Sequence, residues 1–104
     1  MANYLLVYHG GGMPQGEAET AKVMAAWDGW FKQLGDALVD GGNPSSGTKV
    51  LSANGAVAPG GSTAPTGYSI IKADSLDSAV SLARGCPVLT SGASIEVVET
   101  FNAM

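Results

Sequence analysis

The sequence predicts one α+β domain over residues 1–104, a β-α-β-β-α-β chain of ferredoxin-like type that pairs with a copy of itself. Three observations lead there. Short aromatic and branched runs punctuated by turn formers read as strands. Two intervening segments switch to a helical period. The chain is 45% hydrophobic but only 13% charged, so it has a core to bury and few charges with which to cover its outside.

Tyr4-Leu5-Leu6-Val7-Tyr8 is the first strand, stopping at His9-Gly10-Gly11-Gly12. A helix then runs from Glu17 to about Gly35: Val23, Met24, Trp27, Trp30, Phe31 and Leu34 recur three and four apart, with Lys22 and Lys32 off that stripe. Glu17 and Glu19 suit the positive end of its dipole, and Pro14 and Gly16 act as breakers before it. Ala37-Leu38-Val39 can form a short extended piece, and Asp40 through Gly47 is a loop dense in turn formers. Thr48 to Ser52 is expected to be the second strand, at a sheet edge, followed by an Asn54-Gly55 turn and a Gly, Pro and Ser-rich stretch from Ala58 to Pro65. Tyr68 to Ala73 is the third strand. Asp74-Ser75-Leu76-Asp77 resembles a capping box and starts a second helix, with Leu76, Ala79, Val80 and Ala83 on one face. Arg84, Gly85 and Pro87 supply a basic last turn, a left-handed stop and a breaker. Ser94 to Phe101 is the terminal strand, with Ile95, Val97 and Phe101 on one face.

Two β-α-β crossovers of one hand place both helices on the same face of an antiparallel sheet. The opposite face is left bare. Tyr4, Leu6, Tyr8, Ile71 and Val98 are expected there, too apolar for water, and the simplest cover is the same sheet of a second copy about a two-fold axis.

Composition excludes several function classes. A net charge of −4 opposes the counterion release on which nucleic-acid binding depends. A lone cysteine, Cys86, builds no disulfide framework and points to a reducing cytoplasm. The run Tyr4–Tyr8 is too short for a membrane span or a secretory segment. No cofactor is implied: Gly10-Gly11-Gly12 lacks the G-x-G-x-x-G and G-K-[ST] patterns, and one His far from one Cys gives no metal ligand set. His9 is the single candidate general base or anion contact, set against a plain strand-end hydrogen bond. Cys86 sits at the wrong end of a helix dipole for a thiolate and is expected to pack as a small apolar residue. Trp30 is expected in the core, whereas Trp27 is open to a ligand-lining role. Asp28 and Lys32 form an ordinary i,i+4 pair.

Tyr4 to Gly10, Gly67 to Ile71, Asp74 to Asp77, Gly85-Cys86-Pro87 and Gly92 through Val98 together resemble the YCII-related family, in order, over nearly the whole chain. The likeness is to the branch named for its DGPF motif and implies a dimeric α/β barrel. Members of that family that look like enzymes carry a histidine on the inner side of the first helix and an aspartate before a proline after the second. Trp27 and Cys86 stand at those two places, and Gly60 to Pro65 occupies the DGPF stretch without its acid or phenylalanine. The resemblance therefore leans away from the family's hydrolase or dehydrochlorinase-like chemistry. It implies a cavity between helix one and the sheet, bordered by His9, Trp27, Gly41, Gly42, Tyr68 and Cys86.

The resulting expectation is a cytoplasmic homodimer that binds a small organic molecule in that cavity. Two alternatives stand beside it: a lyase or isomerase-type enzyme using His9 as base, and a regulatory protein linked, as DGPF-type proteins often are, to alternative sigma factors.

Overall fold

Eight elements follow one another in the computed structural model, which describes residues 1–12, 14–61 and 64–103. They are β1 (Ala2–His9), α1 (Gly16–Leu34), β2 (Leu38–Asp40), β3 (Lys49–Leu51), β4 (Val57–Pro59), β5 (Pro65–Ala73), α2 (Leu76–Ala83) and β6 (Ser94–Glu99). Short 3-10 turns at Gly35–Ala37 and Pro87–Ser91 lead into β2 and β6. Ser62 and Thr63, within the turn-rich stretch before β5, lie outside the described residues.

Four strands form one sheet in the order β2-β5-β1-β6, and each neighbouring pair is antiparallel. Alternation along β1 sorts the sheet into two faces. Tyr4, Leu6 and Tyr8 are buried, and the register sets Ile71 opposite Tyr4, Ser69 opposite Leu6, Val97 opposite Leu6 and Ile95 opposite Tyr8. Trp30 and Leu34 of α1 and Ala79 and Ala83 of α2 pack into the same cluster, so both helices cover this one face.

The bare face differs from the expected one. Tyr4, Leu6, Tyr8 and Ile71 lie beneath the helices; of the residues expected on the open face, only Val98 is there. The open face carries Leu5, Val7, Ile70 and Val98, all half-buried and none packed against the core cluster, with Tyr68 exposed among them. Period-two patterning fixes which residues share a face but not which of two apolar faces meets the helices.

The second strand of the sheet is Leu38–Asp40, not Thr48–Ser52. Gly35, at φ +55°, ends α1 and turns the chain straight back onto β5, where Leu38 pairs with Ile71. The chain leaves the sheet two residues later. The Asp40 carboxylate accepts a hydrogen bond from Gly42 N–H at 2.8 Å, and Gly42, at φ +74°, passes so close to the Tyr68 carbonyl that no side chain fits there. The more β-prone run finds its partner locally. Lys49–Leu51 pairs with Val57–Pro59 around Asn54-Gly55, where Ser52 N–H reaches Ala56 O at 2.8 Å and Gly55 takes φ +90°.

Helix α1 buries Trp30 and Leu34 and half-buries Val23, Trp27 and Phe31, but Met24 points to water, 67% exposed. Its start is held by the Glu19 carboxylate, which accepts from Gln15 N–H at 3.1 Å. In α2 the cap is Ser75 rather than Asp74: Ser75 Oγ accepts from Ser78 N–H at 3.1 Å, and Asp77 complements the dipole from the first turn. Gly85 is not the left-handed stop expected of it. A Cβ there would meet the Trp30 ring at 3.1 Å, so the glycine serves close helix packing. Strand β6 ends at Glu99, and Phe101 lies beyond it, 85% exposed.

Candidate functional site

Under the helices, near the end of β1, four aromatic rings meet. Tyr8, Trp30 and Phe31 each lie 5.7 Å from Trp27 between centroids, the first two edge-on. Such geometry places positive ring edges on negative faces and adds to the area that each ring buries. Trp30 is buried, with its indole N–H donating to Leu82 O at 3.1 Å, which ties α1 to α2.

A polar line threads this apolar region. Tyr8 hydroxyl donates to Ser69 Oγ at 2.6 Å, and Ser69 Oγ donates to Gly41 O at 2.8 Å. Cys86 is buried in the same cluster as Tyr8. With each hydroxyl proton committed onward, the line runs from Tyr8 through Ser69 to the Gly41 backbone carbonyl. Burial first, and the Cys86 contact after it, push the Tyr8 hydroxyl well above its ordinary value, although the Ser69 hydrogen bond pulls the other way. Burial likewise raises the Cys86 thiol, against opposing hydrogen bonds from Val88 backbone and Tyr8. Both groups are neutral at physiological pH, and Cys86 is no thiolate nucleophile.

On the open face, His9 Nε2 lies 3.1 Å from Glu96 Oε1, a diagonal pair across β1 and β6. A carboxylate only accepts, so Nε2 carries the proton and the lone pair of the neutral ring is on Nδ1. Tyr68 shares this face on β5.

The six residues expected around one cavity therefore divide. Trp27, Gly41 and Cys86 come together on the helix side, with Gly41 facing the Phe31 ring and bonded to Ser69. His9 and Tyr68 lie across the sheet from them, and Gly42 packs on the Tyr68 backbone at the sheet end. Trp27 itself is half-buried, against the other three rings of the quartet. A broad, shallow depression of about 420 Å³ lies elsewhere, at the opposite end of the sheet, between Ala37, Ala73, Asp74, Ser78 and Leu82.

Glu96, Tyr8 and Ser69 were not singled out as site residues. Each leaves a trace in the sequence. Ser69 is a polar residue two positions from Ile71 on the core side of an apolar strand, and such a group needs an internal partner. Glu96 becomes visible once β1 and β6 are paired in register.

Among the described residues, no helix is long and apolar enough to cross a membrane, and no three or more His, Cys, Asp or Glu side chains gather as a metal site. No family model matches the chain, and no curated protein or solved structure shows significant similarity to it.

Proposed function

We propose that the protein is a ferredoxin-like protomer of a cytoplasmic homodimer, a dimeric α/β barrel of YCII-like kind, whose apposed sheets enclose a seat for a small organic molecule. The observation that carries this reading is the open sheet face: Leu5, Val7, Ile70 and Val98 form an apolar band that the helices leave uncovered. Sheets pack face to face through such bands, and a two-fold axis lets one surface cover itself. The strand order and the one-sided helices agree with the ferredoxin-like class. The ligand seat moves from beneath α1 to the sheet face, where His9 and Tyr68 border the apolar band.

Sedimentation equilibrium at micromolar concentration tests the pairing. The wild-type chain is expected to be a dimer and Val7→Lys a folded monomer; a monomeric wild type overturns the reading. For the ligand, a thermal-shift screen of small aromatic molecules is expected to give a stabilising hit that weakens in His9→Gln. A hit unaffected by that change removes His9 from the seat.

The His9–Glu96 pair favours a second reading, a lyase or isomerase-type enzyme. Glu96 orients the imidazole and leaves Nδ1 free to take a proton, as a general base requires. Any activity found in the wild type and kept in full by His9→Gln excludes it.

A further inference from the structure

The chain has four asparagines, and the residue after each sets them apart. Asn43 precedes Pro44, which has no N–H. Asn3 precedes the buried Tyr4 within β1, and Asn102 precedes Ala103. Only Asn54 precedes a glycine. The side-chain carbonyl carbon of an asparagine, Cγ, is open to attack by the backbone nitrogen of the next residue, which closes a succinimide ring. A following side chain obstructs that approach, and Gly55 has none.

The hairpin tip is shaped for this attack. Asn54 Oδ1 accepts from Ala56 N–H at 3.0 Å, so the side chain folds forward and Cγ lies beside the intervening Gly55 nitrogen. The same N–H points at the oxygen on which charge gathers as the nitrogen adds to Cγ, the role of an oxyanion donor. Holding two reacting groups together in this way is what makes an intramolecular step fast. Asn54, Gly55 and Ala56 are all exposed, and a Cβ on Gly55 would meet nothing within 4 Å, so water and hydroxide reach the site.

We infer that Asn54 is a self-modification site, where the hairpin tip deamidates and the direction of the ensuing hydrolysis decides whether the β3 and β4 ribbon stays closed. Gly55 N gives its proton to hydroxide and bonds to Cγ; the bond from Cγ to Nδ2 breaks, and ammonia leaves after taking a proton from water. The succinimide nitrogen has no hydrogen, so the bond from Gly55 N–H to Ser52 O at 2.9 Å is lost. Water then opens the ring. Entry at Cγ gives aspartate on an unchanged backbone, and its carboxylate accepts from Ala56 N–H as the Asn54 amide oxygen did. Entry at the main-chain carbonyl gives isoaspartate, in which the chain runs through Cγ and is longer by a methylene. The hydrogen bond from Ser52 N–H to Ala56 O at 2.8 Å, which closes the hairpin, is then out of register. The ribbon has no third strand to hold it, and two strands alone are marginal in water.

Ageing the full chain at mildly alkaline pH and mapping its peptides by mass spectrometry tests the site. Exchange of NH2 for OH is expected at Asn54 ahead of Asn3 and Asn102, with both isomeric products present. It is expected to be lost at this position in Asn54→Gln, whose longer side chain cannot close the same ring. Conversion that starts at Asn3 or Asn102, or that continues at position 54 in Asn54→Gln, overturns the inference. Limited trypsin digestion after Lys49, in β3, reads the state of the ribbon, because the protease reaches that bond as the strands part. Asn54→Asp is expected to resist cleavage there as fresh wild type does, and the isoaspartyl fraction of the aged chain to be cut faster. Equal rates for the two overturn the claim that the isomer opens the ribbon.

Discussion

Gly41 and Gly42 are neighbours with unequal tolerance for a side chain. A Cβ on Gly42 would lie 1.7 Å from the Tyr68 carbonyl oxygen, which is backbone and cannot yield, and its φ of +74° disfavours any L side chain. A Cβ on Gly41 meets only the Phe31 ring, at 3.0 Å. Gly42→Ala is expected to cost about 3 kcal/mol or more and Gly41→Ala about 1 kcal/mol, read from urea midpoints. Equal losses would show that the close approach to Tyr68 is not what requires glycine. The Cys86 and Tyr8 pair bears on pH. Both folded values are raised above the ordinary 9.0 and 10.0, so the unfolded chain releases protons first as the solution becomes alkaline. Their contribution is complete below pH ~9 and is lost progressively above it. The melting temperature is expected to fall from that point upward, and Cys86→Ala to move the onset of the fall toward pH ~10. An unchanged onset would show that the thiol ionises alike in both states. At this scale the sequence was least legible. His9, Trp27 and Cys86 were visible as chemically able residues, but whether they share a space depends on strand parity relative to the helices, which no single residue reveals.

Elements were read more faithfully where local signals are self-sufficient. The boundaries of α1 follow from Glu17 and Glu19 at one end and Gly35 at the other, and the Asn54-Gly55 turn closes its hairpin by local hydrogen bonds. Strand β2 failed as a sheet prediction because three residues carry little propensity, and pairing with Ile71 after a tight glycine turn overrides it. The run 48–52 has the better propensity but lies past a departing loop, so it pairs with what is near. Helix α2 offers a direct test of its cap. Ser75→Ala removes the acceptor for Ser78 N–H and is expected to cost about 1 kcal/mol, whereas Asp74→Ala is expected to cost less. A larger loss at Asp74 by thermal or urea unfolding would restore the cap to that residue.

For the whole molecule, the class of fold was legible because apolar periodicity and the scarcity of charge are properties of the entire chain. The identity of the bare face was not. Leu5 and Leu6 are equally apolar, and it is the side on which α1 and α2 pack that puts Leu6 inside. The sheet also ends in two unlike margins. One is β6, whose Glu96 and Glu99 are exposed and charged; the other is β2, three residues long and finished by Asp40. A flat sheet with open backbone edges is a template for endless lateral stacking, and carboxylates or brevity at the rim frustrate it. Growth by strand addition is therefore discouraged at both sides, so that the proposed pairing through the broad faces would close on itself instead of running on as a fibre.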